Sequence, residues 1–233
     1  LLFVGFYGRA DVWEPLVWVL AAGSMTIGNL IALRQTNIVR LMAYSGVAQT
    51  GFMIAPLAVA GHSVAAGDQA LSATVTYLMI YAAMNLGAFA VIITLARRTG
   101  SAEISSYSGS FHYAPGLTLA MTVFLFSLAG IPPLGGWFAK FEVFRVLATA
   151  GEPWGYALAV VAAVNSVIAL FYYAAIARRM WADEAPDGDL SPVPVTPSLV
   201  SALALCGIVT LVFGVAPQAV ARFTDVSLLA LGG

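Results

Sequence analysis

The sequence predicts an all-α protein, a polytopic transmembrane helix bundle of about six spans with one helix broken by proline. Three observations carry that prediction. Of the 233 residues, 61% are hydrophobic and only 9% charged, with a mean hydropathy of +0.90, whereas a soluble domain is nearer half apolar and a quarter charged. The apolar residues gather into runs of the length, about 20 residues, that a helix needs to cross a hydrocarbon core. One run, 115–148, is too long for a single span and contains "GIPPLGGWFAK" at residues 130–140.

Taken in order, residues 1–8 (LLFVGFYG) are too short to cross a bilayer and lack the basic start and cleavage site of a signal peptide, so they read as the tail of a preceding helix. The chain does not begin with methionine, and it is expected to be the C-terminal part of a longer membrane protein. Residues 9–217 are expected to form one bundle. Its first three spans fall at about 12–33, 41–61 and 71–96, each a predominantly apolar run long enough to cross. The fourth run, 115–148, would measure roughly 50 Å as one helix, against a core of about 30 Å. Pro132 and Pro133 cannot donate backbone hydrogen bonds and their rings clash with the preceding turn, so this helix is expected to open between Gly130 and Gly136, with Gly135 inside the opening. Two further spans follow at 153–181 and 197–217, and 218–233 is a C-terminal tail. The segment "DEAPDGDLSPVPVTP", 183–197, is acidic and proline-rich and reads as an exposed connector.

Basic residues in short loops mark the cytoplasmic side. Arg34 and Arg40, Arg97 and Arg98, and Arg178 and Arg179 all fall on one face if the spans alternate, leaving Arg9, Arg145 and Arg222 opposite. The first group is therefore assigned to the cytoplasm, and the C-terminus falls outside.

The composition also excludes function classes. A formal net charge of −1 offers no basic surface for nucleic acid. The single cysteine, Cys206, rules out a disulfide framework, a thiolate zinc site and a cysteine-ligated iron–sulfur cluster within the chain. His62 and His112 stand singly, and no phosphate loop or dinucleotide fingerprint occurs, so neither a metal nor a cofactor is expected in this chain.

The candidate site is the broken helix. Backbone groups freed within a membrane survive only when buried in protein or lining a hydrated cavity, and transporters use such breaks to present helix ends to ions; the alternative is a proline kink used for packing. Lys140, the only lysine in the chain, lies eight residues beyond Pro132. Lysine can shed its proton on desolvation where a guanidinium cannot, which suits proton transfer; the alternative is a side chain that snorkels to the outer interface. Glu142 and Arg145, three apart, are placed for an ion pair. Thr74, Tyr77, Tyr81 and Asn85 stack along one side of the third span, and Ser45 with Gln49, and Asn165 with Tyr172, add polar positions to the second and fifth. Such residues serve either as interhelical hydrogen-bond glue or as relays through water.

The blocks "LIALRQTNIVRLMAYSGVAQTGFMI" (30–54) and "FSLAGIPPLGGWFAKFEVF" (126–144) resemble the antiporter-like membrane subunits of respiratory complex I, most closely their subunit N branch. The resemblance covers essentially the whole chain. It implies that the six spans match helices nine to fourteen of that family, the second inverted repeat and the terminal helix. It also implies that Lys140 matches a lysine on the proton path beyond the broken twelfth helix. Tyr77, Tyr81 and Asn85 match the positions of a His-x3-His-x3-Lys series in a sibling subunit, and Val39 stands where the family's loop motif has lysine, leaving Arg40. The implied function is a proton-translocating membrane subunit of NADH:quinone oxidoreductase in a bacterial plasma membrane, without redox centres of its own. NADH, flavin, iron–sulfur clusters and quinone would then belong to other subunits, and the partners would be the lipid bilayer and the other membrane subunits of complex I. A subunit of a multi-subunit sodium/proton antiporter and a purely structural membrane subunit are the two alternatives.

Overall fold

The computed structural model describes residues 9–186 and 188–218; the expectations for 1–8 and for the tail from 219 onward lie outside them. Among the described residues the chain forms seven principal helices: α1 Ala10–Ala32, α2 Ile38–Ile54, α3 Val64–Thr99, α4 Pro115–Ala129, α5 Gly135–Thr149, α6 Pro153–Ala182 and α7 Pro197–Val215. The protein is a multi-pass helical bundle, and five of these helices, α2 counted with its extension to Val59, are long and apolar enough to cross a membrane.

Local chemistry fixes the helix ends. Asn37 caps α2 by accepting from the amides of Val39 and Arg40, both at 3.1 Å. At the other end Pro56 lacks the amide that would continue the ladder, and α2 tightens into a 3₁₀ turn, Ala55–Val59. Ser63 caps α3 through the Ala66 amide, and Gly100, at φ 66°, ends it in a left-handed conformation. These two stops make α3 36 residues long, roughly 54 Å, which exceeds the apolar window of its sequence and carries the helix beyond the hydrocarbon core at its ends.

α1 and α2 form the closest pair, with Gly28 against the backbone of Tyr44 and Ala48 and Gly51 against that of Ala21. Small residues permit such approach where no hydrophobic force joins helices in lipid. α4 and α5 occupy the centre, between α3 and α6, and α7 lies on the outside against α3 and α5 with only Thr210 and Gly214 buried. The arginine-bearing connections meet at one end. The α1–α2 turn and the segment after α3 form a short antiparallel bridge, Ile38 donating to Ala102 at 2.8 Å and Ile104 to Thr36 at 2.7 Å. Arg98 donates to the carbonyl of Asp189 at 2.6 Å and stacks over Tyr113, pinning the acidic connector to the same end.

Candidate functional site at the helix break

α4 ends at Ala129, and Gly130 follows at φ 93°, a backbone conformation that glycine alone adopts freely. A helix that stops inside a bundle leaves its last carbonyls without partners, and each of them finds one here. The amides of Gly130 and Ile131 bond to Phe126, and that of Gly130 also to Ser127. The Leu128 carbonyl accepts from the side chain of Gln49 on α2 at 3.1 Å. The Ala129 carbonyl accepts from Lys140 Nζ at 2.8 Å. On the far side of the break, the amide of Gly136 is capped by the Ser127 hydroxyl at 3.0 Å, so the first half-helix caps the second. That contact requires glycine, because a Cβ at position 136 would strike the Ser127 carbonyl. Pro132 and Pro133 form the exposed tip of the turn, where the absence of an N–H leaves no donor to satisfy.

Lys140 is buried, at 5% exposure, and turns back toward the break instead of reaching the outer interface. Its ammonium also lies 4.7 Å from the centroid of the Phe52 ring, a cation–π geometry. Among the described residues no carboxylate stands within ion-pair distance of it; Glu142 is instead engaged by Arg145, at 2.6 and 3.1 Å.

A cluster of buried polar side chains begins beside this lysine. Gln49 accepts from the Tyr77 hydroxyl at 2.5 Å and donates to that of Tyr173 at 3.4 Å, and Tyr173 hydrogen-bonds to Ser45. The Tyr172 ring packs on Tyr173 with centroids 4.4 Å apart. Tyr172 also donates to Asn29 at 3.0 Å, and Asn29 donates in turn to the side chain of Asn165 at 3.0 Å. Asn165 completes the set through Thr26 at 3.2 Å. The structure therefore brings Lys140, Gln49, Tyr77 and Ser45 together around the break. It separates them from the rest of the α3 stripe: Thr74 bonds to the Met53 carbonyl near the end of α2, while Tyr81, beside Gly46, and Asn85 are half-buried outside the cluster.

Asn29, Thr26, Tyr173 and Ser127 are the members that reading the sequence passed over. Asn29, a fully buried amide within an apolar span, carried a usable signal. Tyr173 was masked by its neighbour Tyr172, and Ser127 acts through a backbone contact that spacing does not reveal.

The chain matches, over residues 1–166, the family described as NADH:quinone oxidoreductase/Mrp antiporter, TM. It is 40% identical over 230 residues to NADH-quinone oxidoreductase subunit N 2 of Solibacter usitatus, covering 97% of this chain and 44% of that protein. It is 37% identical to NADH-quinone oxidoreductase subunit N of Chloroflexus aggregans, covering 100% of this chain and 46% of the relative. The chain thus spans somewhat under half the length of these relatives. Among solved structures it is similar to a chain of respiratory complex I from Thermus thermophilus with bound Aureothin, at 29% identity and a TM-score of 0.67 over 89% of this chain and 45% of that one. A chain of the Mrp complex from Dietzia sp. DQ12-45-1b shares the fold, with a TM-score of 0.79 at 21% identity over 93% of this chain and 47% of that one.

Proposed function

This chain belongs to the NADH:quinone oxidoreductase/Mrp antiporter membrane family, and from that membership we propose that it is part of a proton-translocating subunit of NADH:quinone oxidoreductase. In this reading it carries no redox centre, sits in a bacterial plasma membrane among the other membrane subunits of the complex, and leaves NADH, flavin, iron–sulfur clusters and quinone to them. Relatives at 36–41% identity that bear the name of subunit N favour this over a sodium/proton antiporter subunit, whose structural likeness at 21% identity speaks for the fold alone.

The observation that carries the reading is the placement of Lys140. Its ammonium is held at the broken end of α4 by one carbonyl and one aromatic ring. With no carboxylate beside it among the described residues, the proton can leave for a neighbouring water, which a guanidinium would not allow. Gln49, Tyr77, Tyr173 and Ser45 do not themselves need to ionise; their role is to hold the freed backbone and to orient water beside the lysine.

The test uses the full-length subunit assembled in its complex in membrane vesicles, with proton pumping normalised to quinone reduction. Lys140→Met keeps length and burial and removes the proton; it is expected to lower that ratio strongly while the complex still assembles. Lys140→Arg keeps the charge and should not restore pumping. A wild-type ratio in Lys140→Met would refute the proposal in favour of a structural role.

A further inference from the structure

The turn that joins the two half-helices is held at both ends through glycines. At its start Gly130 lies against the stem of Lys140, so closely that a Cβ there would come within 2.8 Å of Cδ. At its finish Gly135 is wedged between α3 and α7, where a Cβ would stand 3.1 Å from Ile80 and 3.0 Å from the carbonyl oxygen of Thr210. One turn further along α7, Gly214 faces the middle of the same segment, and a Cβ on it would strike the Pro133 carbonyl and the backbone of Leu134.

Thr210 and Gly214 are also the residues that α7 buries, while Leu205, Ile208, Leu211 and Val215 point outward. The Thr210 hydroxyl stays within its own helix, donating to the Cys206 carbonyl at 2.7 Å. What α7 presents to the turn is therefore backbone. Among the described residues no N–H or O–H donates to the Pro133 carbonyl, and a carbonyl freed inside a membrane needs cover. The Cα–H of Gly214 supplies it, a contact that recurs where helices pack tightly. Gly207, two turns earlier on the same face of α7, meets nothing within 4 Å of an added Cβ. The close approach is thus confined to the level of the break.

Building on the proposed role of Lys140, we infer that α7 sets the position of the opened turn and, through it, the carbonyl that holds the lysine, so that Thr210 and Gly214 are positioning residues for Lys140. Neither touches the ammonium. α7 fixes Pro133 to Gly135; Leu134 bonds back to Ile131 at 3.1 Å; and Gly130, the next residue, flanks both the lysine stem and the Ala129 carbonyl that accepts from Nζ. An atom added at position 214 must move either α7 or this turn, because close-packed backbone has no free volume to absorb it.

The experiment uses the full-length subunit assembled in its complex in membrane vesicles and measures proton pumping per quinone reduced across a range of pH. Gly214→Ala is expected to lower that ratio severalfold at neutral pH and to displace its pH profile, while Gly207→Ala keeps both as in the wild type. Should Gly214→Ala prevent assembly, Thr210→Ala, which removes volume from the same contact instead of adding it, is expected to displace the profile in its place. A reduced amount of complex whose pumping ratio and pH profile are those of the wild type would make the contact merely structural and overturn the inference. So would a displaced profile in Gly207→Ala equal to that in the other variants. The two ideas fail separately: loss of pumping in Lys140→Met with wild-type profiles in the α7 variants sinks only the role of α7, while wild-type pumping in Lys140→Met removes the lysine's role and this inference with it.

Discussion

At the scale of single residues, the break is held by side chains that replace missing backbone bonds. An unpaired carbonyl in a membrane interior is strongly unfavourable, and Gln49 and Lys140 each remove one by bonding to Leu128 and Ala129. Ser127 faces the other way and satisfies the Gly136 amide in the first turn of α5, which demands that the two half-helices nearly touch. Gly136 makes that approach possible. Gly136→Ala drives a methyl into the Ser127 carbonyl, an overpacking expected to destabilise the subunit by about 1–3 kcal/mol. Gly116, near the start of α4, meets nothing within 4 Å of an added Cβ, so Gly116→Ala is expected to be neutral or slightly stabilising, as helix propensity alone would have it. Denaturant titration of the assembled subunit in mixed micelles separates the two, and equal stability for both variants would show that the contact at the break does not constrain the fold.

At the scale of elements, the α1–α6 junction is the polar seam of the bundle. Asn29, fully buried, donates to both the backbone and the side chain of Asn165 and accepts from Tyr172. Interhelical hydrogen bonds in membrane proteins contribute about 0.6 kcal/mol each on average, with a maximum near 1.7. Asn29→Leu, which keeps the volume and removes all three bonds, should therefore weaken the bundle by roughly 1–3 kcal/mol. A loss of less than about 0.5 kcal/mol in the same titration would mean that water replaces these bonds freely. The helices themselves were legible in the sequence because lipid imposes a length and a composition on every span, and because two adjacent prolines cannot continue a helix. The site was only half legible. Lys140, Gln49, Ser45 and Tyr77 stand out as polar residues where lipid tolerates few, but their convergence depends on how α2, α4, α5 and α6 pack. Spacing along α3 grouped Tyr81 and Asn85 with Tyr77, since a helix repeats its faces, yet only the part of the stripe that meets α2 at Gln49 enters the cluster.

At the scale of the whole molecule, the arginine-bearing connections gather at one end. The α1–α2 turn bridges to the segment after α3, and Arg98 of α3 binds the connector between α6 and α7 through the Asp189 carbonyl and a 3.2 Å contact to its carboxylate. The three connections that carry Arg34, Arg40, Arg97, Arg98, Arg178 and Arg179 thus form one continuous surface, as they must if all face the same aqueous phase. An excess of arginine in short loops predicts that this phase is the cytoplasm, and a cleft lined by Tyr172 opens at the same end. Leu190, 56% exposed in the connector, reports the orientation without touching the site. In an otherwise cysteine-free full-length subunit, Leu190→Cys should react with a membrane-impermeant maleimide only in vesicles that expose the cytoplasmic face. Reaction confined to the opposite orientation would invert the bundle. It would leave the lysine, the break and their contacts as they are, because these rest on how the helices pack, and would reverse only the compartment that the arginine-bearing end faces.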